Sequence, residues 1–558
     1  MQYAYKPSSR AISIPAWALV ILFFIYALPG NFGHDPWRGD DVLYIDVAFE
    51  MLRNGDWLVP HIAGLPYFDW PPLTYWIAAT LGGLLNWLMP VHDAIRLTTI
   101  ISLGLAVWAL RATTRKLVGV ESGNAAFLLS IGSIGLLIHA HEAQPQITLM
   151  AAVACTFYGL ATMHDDLNGN TEESARAHPI RGAIITGVST GAAILTAGLV
   201  GAALTLPLWF VMPLAYPKHR QGTSARAYLL AFVIAALLAA SWPIALAIFQ
   251  PGALHQWWRQ EITDIAPHAG NLANTEALTQ LLAWFTWPLW PVAGWSLWRR
   301  RKQLRDPLCV LSLTGLVVAA WLVMTTGSLR AANVVPLLPP LILLAAAELP
   351  RLRRGAANAF DWFGIMSFCC IGLFLWLAWL AMHLGWPSPL ARNIVRLAPD
   401  FVHTWSWWTV SIAIVISAGW IVALVRVPYF PLRGAVHMAL GVTLAWALAI
   451  VLWQDWFDYD RNYRPIAREI AVQVREQHGG ACLATLGAGD VQRAAFYYFQ
   501  RLRVDPRSSA FKHCPMLIAY SSARNALPVP DANWQKTWSK ERGRGRQSER
   551  FALYRRID

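Results

Sequence analysis

Residues 30–94 hold the densest set of reactive side chains in the chain: His34, Asp35, Arg38, Asp40, Asp41, Tyr44, Asp46, Glu50, Arg53, Asp56, His61 and Asp69. The adjacent acids Asp40 and Asp41 stand at the mouth of a helix-like run, YIDVAFEMLRNG (44–55), whose Val47, Phe49, Met51 and Leu52 among polar positions predict an interfacial helix. One chemistry for such an acid is helix capping, which Asp favours because it complements the dipole. The other is general-base or electrostatic catalysis, because a carboxylate beside a low-dielectric wall can have its proton affinity tuned. Both fit a pair of neighbours, one capping and one reacting.

Further polar groups stand in later loops. HAHEAQPQIT (139–148) carries His139, His141 and Glu142, which have the donor types for a divalent ion, as do Asp69 and His268 together. Against that, histidines at such a surface ordinarily only hydrogen-bond. Arg259 and Arg330 (in TTGSLRAAN), together with His61, are candidates for holding a phosphate, and an Arg fork grips phosphate with two parallel bonds. For Arg330 the competing role is a snorkelling residue at the end of a span. GAGD (487–490) is a lone Gly-rich turn, not a nucleotide loop.

The elements that position these groups are membrane helices. Charged residues make up 14% and AVILMFWYC 56% of the 558 residues, with 30 tryptophans; soluble domains carry about 25% charge. The net charge of +13 does not point to nucleic acid. It sits in short clusters between apolar runs, such as Arg299 to Lys302 and Arg351 to Arg354, the pattern of cytoplasmic loops. Apolar runs predict thirteen spans, near 11–29, 96–112, 122–140, 147–163, 183–197, 199–215, 227–249, 278–298, 307–326, 334–349, 361–384, 406–425 and 434–453. The pair within 183–215 reads equally as one broken helix, and 73–91 reads as an interfacial helix. The odd count places the acid-rich loop and residues 455–558 on the non-cytoplasmic side. That gives a transmembrane domain over 1–454 and a small C-terminal α/β domain over 455–558. In the latter, 465–478 predicts an amphipathic helix, 481–486 and 516–521 buried strands, and 540–550 a solvated basic loop. Cys482 and Cys514 are placed to form a disulfide in an oxidising compartment.

RGDDVLYIDVAFEMLRNGDWLVPHIAGLPYFDWPPLTYW (38–76) resembles the first outer loop of the bacterial lipid A aminoarabinose transferases and protein O-mannosyltransferases. The matching positions are Asp40-Asp41, Tyr44, Glu50-Met51, Gly55-Asp56-Trp57, Pro60, Gly64 and Tyr67-Phe68-Asp69-Trp70-Pro71-Pro72-Leu73. The resemblance implies a GT-C fold and an inverting glycosyltransferase that takes its sugar from a polyprenyl-phosphate carrier. It also implies that Asp40 is the catalytic carboxylate and that the site faces the periplasm from the bacterial inner membrane. The expected partners are an undecaprenyl-phosphate-sugar donor and a lipid A-type or other envelope acceptor, served by a monomer. Two departures stand out. Trp70 occupies the position of the family's Lys, which contacts the carrier phosphate. Gln146 is the nearest match to an acid that often opens the next span, with Glu142 off register.

A transporter or flippase is the rival class. Such proteins place acids or broken helices near the bilayer midplane, whereas here acids within the apolar runs lie at their ends, as Glu348 and Asp361 do. A non-catalytic scaffold leaves the loop motif without a reason.

Overall fold

The computed structural model describes residues 14–168, 179–265, 275–325, 331–398, 401–478, 482–507, 509–522, 525–543 and 548–557. Among them, nine helical segments are long and apolar enough to cross a bilayer; Ala16–Ala27 and Leu73–Leu85 are apolar but shorter. The expected spans at 96–112, 147–163, 227–249, 334–349, 361–384 and 434–453 fall inside such segments, 307–326 coincides with Pro307–Thr325 over its described residues, and 406–425 matches Trp407–Arg426 to within a residue. The full set of thirteen is not found as such. The run expected at 122–140 stops at Ile131, where Gly132 follows, and resumes as the short helix Leu136–His139. The run at 278–298 is divided into Thr275–Phe285 and Leu289–Arg299, with Pro288 at the break, since a proline lacks the amide an unbroken helix needs.

The segment Ile180–Ala215 is a helical hairpin. Its backbone leaves helical geometry at Ala197 and Gly198, and Gly198 has φ +52°. Beyond that point the two halves face each other: the Trp209 indole donates to Thr190 Oγ1 at 3.1 Å. A straight helix would hold those residues nearly 30 Å apart. A side chain at Gly201 would stand 2.1 Å from the Ala193 carbonyl oxygen, so the two arms meet backbone to backbone.

Helix Asp40–Asn54 is the hub of the outer side. An interfacial position was expected, but residues 41–51 are all buried. One flank packs on helix Leu73–Leu85 and the other on the C-terminal domain, where Ala494 and Tyr497 join the apolar cluster of Tyr44, Val47 and Ala48. The last membrane helix runs on to Arg461, past the expected boundary at 454, before the C-terminal module starts with helix Arg464–His478. Its five-stranded sheet has the order β4-β3-β5-β7-β6: β3 (Leu483–Leu486) is parallel to β4 (Val504–Asp505) and β5 (Met516–Ser522), and β7 (Glu549–Arg556) is antiparallel to β5 and β6 (Trp534–Arg542). A two-stranded hairpin, β1 (His61–Ile62) with β2 (Leu65–Pro66), lies in the outer loop. The amphipathic helix and both expected strands are found. The basic segment 540–550 is not a solvated loop throughout. Its ends belong to β6 and β7, because Arg542 turns inward to Glu549 at 3.6 Å. GAGD leads from β3 into helix Asp490–Gln500 as a turn. Cys482 is joined to Cys514.

Candidate active site

The site forms where the outer helix meets the membrane helices. Gly39 is its N-cap, with φ +110°, a value that an L side chain adopts only at a cost. Asp40 and Asp41 are the first two helical residues, and consecutive positions on a helix point about 100° apart.

Asp41 turns inward and is 1% exposed. Its Oδ2 accepts from Arg96 Nη2 at 2.7 Å and from the Trp37 amide at 3.1 Å. Its Oδ1 accepts from Arg96 Nε at 3.2 Å and from the Ala143 amide at 3.0 Å. Burial alone would raise the Asp41 carboxyl, but the Arg96 guanidinium overrides it and holds the group below the usual carboxylate range. Arg96, fully buried, also donates to Asp93 and to the carbonyls of His34 and Asp35. Asp41 was expected as half of a catalytic pair. Both of its oxygens are taken, and they tie the helix to Val91–Leu117, to the turn at Ala143 and back to the Trp37 amide.

Asp40 is half-buried and faces a different set of groups. Its charge acts on Tyr44, Tyr75, His139 and Glu142. Glu142 is half-buried in the turn before helix Pro145–Asn168. Burial, reinforced by Asp41 and Asp40, raises its carboxyl to about 8. Gln144 donates to Glu142 Oε2 at 2.9 Å, and its oxygen meets His139 Nδ1 at 2.8 Å. The nitrogens of His141 lie 2.6 and 2.8 Å from the carbonyls of Leu137 and Tyr26. The ring is thus occupied by backbone, which removes the metal site expected at His139, His141 and Glu142. Among the described residues no group of three His, Cys, Asp or Glu is placed to hold a metal.

Tyr44 connects Asp40 to a cavity. Its buried hydroxyl receives hydrogen bonds from Gln146 and Trp70 and lies within the field of Asp69, and burial pushes its proton affinity up. Trp70 and Gln146 line a cavity of about 130 Å³ together with Asp69, Glu261, Asn333 and an apolar wall that includes Leu149, Val200 and Leu322. Tyr67 and Gln260 both donate to Asp69. Glu261 Oε1 accepts from the Leu199 amide at 2.5 Å, pinning helix Pro251–Ile265 to the turn of the helical hairpin. A Cβ on Gly198 would stand 2.0 Å from that oxygen, so glycine is required there for both space and φ.

The remaining expected residues divide as follows. Tyr44, Tyr67, Asp69 and Glu142 gather around Asp40 and the cavity. Arg259 is exposed on the helix that supplies Gln260 and Glu261. His61 is elsewhere, in β1, 3.9 Å from Asp56. Arg330 and His268 lie outside the described residues, and with His268 the Asp69–His268 metal pair. Sequence reasoning passed over Glu261, Gln260 and Asn333. The only signal for the first two was their position on the outer loop beside Arg259.

Comparison with known proteins extends the resemblance beyond residues 38–76. No family model matches the chain. A curated relative from Pseudomonas fluorescens, "Undecaprenyl phosphate-alpha-4-amino-4-deoxy-L-arabinose arabinosyl transferase 1", is 25% identical over 465 residues, covering 80% of this chain and 75% of its own. A relative of the same description from Aeromonas salmonicida is 26% identical over 472 residues, with 78% and 77% covered. Among solved structures, ArnT from Cupriavidus metallidurans in the apo state superposes with TM-score 0.61 at 20% identity, covering 91% of this chain and 92% of that one. The same protein bound to undecaprenyl phosphate gives TM-score 0.63 at 19% identity, with 96% of each chain covered. The chain thus has the GT-C fold of a polytopic membrane protein with a C-terminal sheet domain, and its likeness to the aminoarabinose transferases runs over most of its length.

Proposed function

We propose that this chain is an inverting membrane glycosyltransferase that moves a sugar from undecaprenyl phosphate, or a similar polyprenyl phosphate, to a lipid A-type or other cell-envelope acceptor at the periplasmic face of the inner membrane. The observation that carries this reading is the split of the acidic pair. Asp41 is spent on Arg96, while Asp40 acts electrostatically on Tyr44, whose neighbours Trp70 and Gln146 line a cavity together with Asp69.

Asp40 takes the proton from the acceptor as its oxygen attacks the anomeric carbon, and the bond from that carbon to the carrier phosphate breaks with inversion. The carrier leaves as a phosphate, which needs little protonation, so the demand falls on base and cation rather than on an acid. Glu142, protonated below pH of about 8, presents no second charge to compete with Asp40. Trp70 has no charge to offer the carrier phosphate, and Arg259 and Arg330 are the cations assigned to that role. Asp69 and Tyr67 hold the sugar side of the cavity.

Purified chain, supplied with an undecaprenyl-phosphate-linked aminoarabinose or hexose and with lipid A, should yield a product heavier by one sugar in mass spectrometry. Envelope lipids from cells with and without the gene should differ by the same increment. Identical lipids in both, and no product from any lipid-linked sugar, would overturn the reading in favour of transport.

A further inference from the structure

Beyond Asp40 and its cavity, a second recess opens where the outer loop meets the C-terminal domain. It encloses about 540 Å³, and its walls carry Arg475, Arg501, Arg503 and Arg507. The hairpin around Gly64 forms one side, and the disulfide-bonded Cys482 at the edge of β3 forms another. Against four guanidinium groups the lining holds one carboxylate, Asp505, which Arg507 grips through Nε at 2.9 Å and Nη2 at 2.6 Å.

The other three arginines make no salt bridge among the described residues, although Glu50 lies within the field of Arg503 and Asp46 within that of Arg501. Arg501 lies 4.0 Å above the Phe49 ring and gives Nη1 to the carbonyls of Tyr497 and Tyr498 at 3.4 and 3.2 Å. Arg475 touches only the Gln500 carbonyl, at 3.5 Å. Arg503 runs along Gly64 and, among the described residues, makes no hydrogen bond or salt bridge. A Cβ on Gly64 would meet that side chain at 3.5 Å, so the hairpin leaves room for Arg503 to reach the recess. Like charges crowded this way repel, and the arrangement is relieved by an anion that several forks grip at once. The volume lies in the range of small-molecule sites and suits a phosphorylated saccharide better than a lone ion. The recess lies beside Phe49 and Glu50, roughly 15 Å along the same helix from Asp40 at 1.5 Å per residue.

We propose that this recess binds a phosphoryl group of an anionic glycolipid and so docks the acceptor while another part of it reaches Asp40. This assignment rests on the glycosyltransferase reading. The binding site, however, is tested without turnover.

The test uses the full chain in detergent with three probes: lipid A bearing both phosphates, the same glycolipid after phosphatase treatment, and inorganic pyrophosphate. The double variant Arg475→Gln/Arg503→Gln should bind the phosphorylated glycolipid roughly 10–100-fold more weakly, the scale of one or two lost charge-assisted bonds. It should bind the dephosphorylated form as the wild type does. A charge-matched pair outside the recess, Lys302→Gln/Arg305→Gln, exposed in the loop between helices Leu289–Arg299 and Pro307–Thr325, should change neither. Unaltered affinity of the recess variant for the phosphorylated glycolipid would overturn the proposal, and so would pyrophosphate binding as tightly as the glycolipid. Undecaprenyl phosphate binding, measured on the same samples, separates the two claims. Its retention in the recess variant alongside lost glycolipid binding supports docking. Its absence from the wild type would count against the glycosyltransferase reading and leave the glycolipid result to stand alone.

Discussion

The two ends of helix Asp40–Asn54 are built in opposite ways. At the N-terminal end acids crowd together, and the buried Arg96 is spent on Asp41 and Asp93 while Arg464 pairs with Asp35. At the C-terminal end arginines crowd together, and Asp505 answers only one of them in the recess. The first arrangement keeps one carboxylate, Asp40, beside a protonated Glu142, and suits taking up a proton. The second suits gripping an anion. The helix runs from the acids to Phe49, over which Arg501 lies, so it spans the interval between the two regions.

The comparison breaks most severely at Arg96. Removing it leaves Asp41 and Asp93 buried without their cation, held only by backbone amides, a loss of about 3–5 kcal/mol for such pairs. Arg96→Gln should therefore abolish recovery of monodisperse protein or lower its melting temperature steeply, as read by fluorescence-detected size exclusion and thermal melts. Recovery of a wild-type melt would mean that the Asp41 brace is not what positions the helix. Next in size is Gly201→Val, where the new side chain meets the Ala193 carbonyl and cannot be accommodated without parting the hairpin arms. Overpacking of this kind costs about 1–3 kcal/mol, and undecaprenyl phosphate binding should weaken along with the melt because Ala197 and Val200 line the cavity.

A pH experiment sharpens the acidic end. The Glu142 carboxyl is raised to about 8 in the folded protein, so its ionisation destabilises the fold. Stability is fully present below the ordinary carboxylate value and is lost as pH climbs toward 8. Glu142→Gln fixes the protonated shape. It should keep activity near pH 7 and hold it at pH 9, where the wild type declines. An alkaline limb unchanged in the variant would assign that limb to another group. The smallest effect belongs to Asp46, buried mid-helix with its carboxyl raised by burial and by Glu50. Asp46→Asn should raise the melting temperature by a few degrees, more at pH 8 than at pH 5. An equal change at both values would show that Asp46 is already ionised.

Much of this was legible in the sequence where the signal is local. Apolar runs gave the membrane helices, the strand and helix patterns of 465–521 gave the core of the C-terminal domain, and the acid-rich loop marked the site. What escaped was set by partners distant in the chain. Asp40 and Asp41 look alike in sequence, and only Arg96, 55 residues on, separates them. Residues 41–51 are apolar on more than one face because two domains close on them, which an amphipathic reading takes for an interface. The break at 198 between two apolar runs was legible, but that Glu261, 62 residues on, would accept from the Leu199 amide at that turn was not. Arg542 joined a strand because Glu549 pairs with it across the sheet.

The account's central claim is that the two neighbouring acids do different work, and Asp40→Asn measured beside Asp41→Asn tests it most directly. Asn keeps the size and helix-start preference of Asp but takes no proton. Asp40→Asn should retain the wild-type melting temperature and undecaprenyl phosphate affinity while losing 10²–10⁴-fold in transfer rate, roughly the span of general-base catalysis. Asp41→Asn should lose stability first, and activity only in proportion. An Asp40→Asn protein that melts early yet transfers sugar at near wild-type rate would make Asp40 a structural acid and place the base elsewhere.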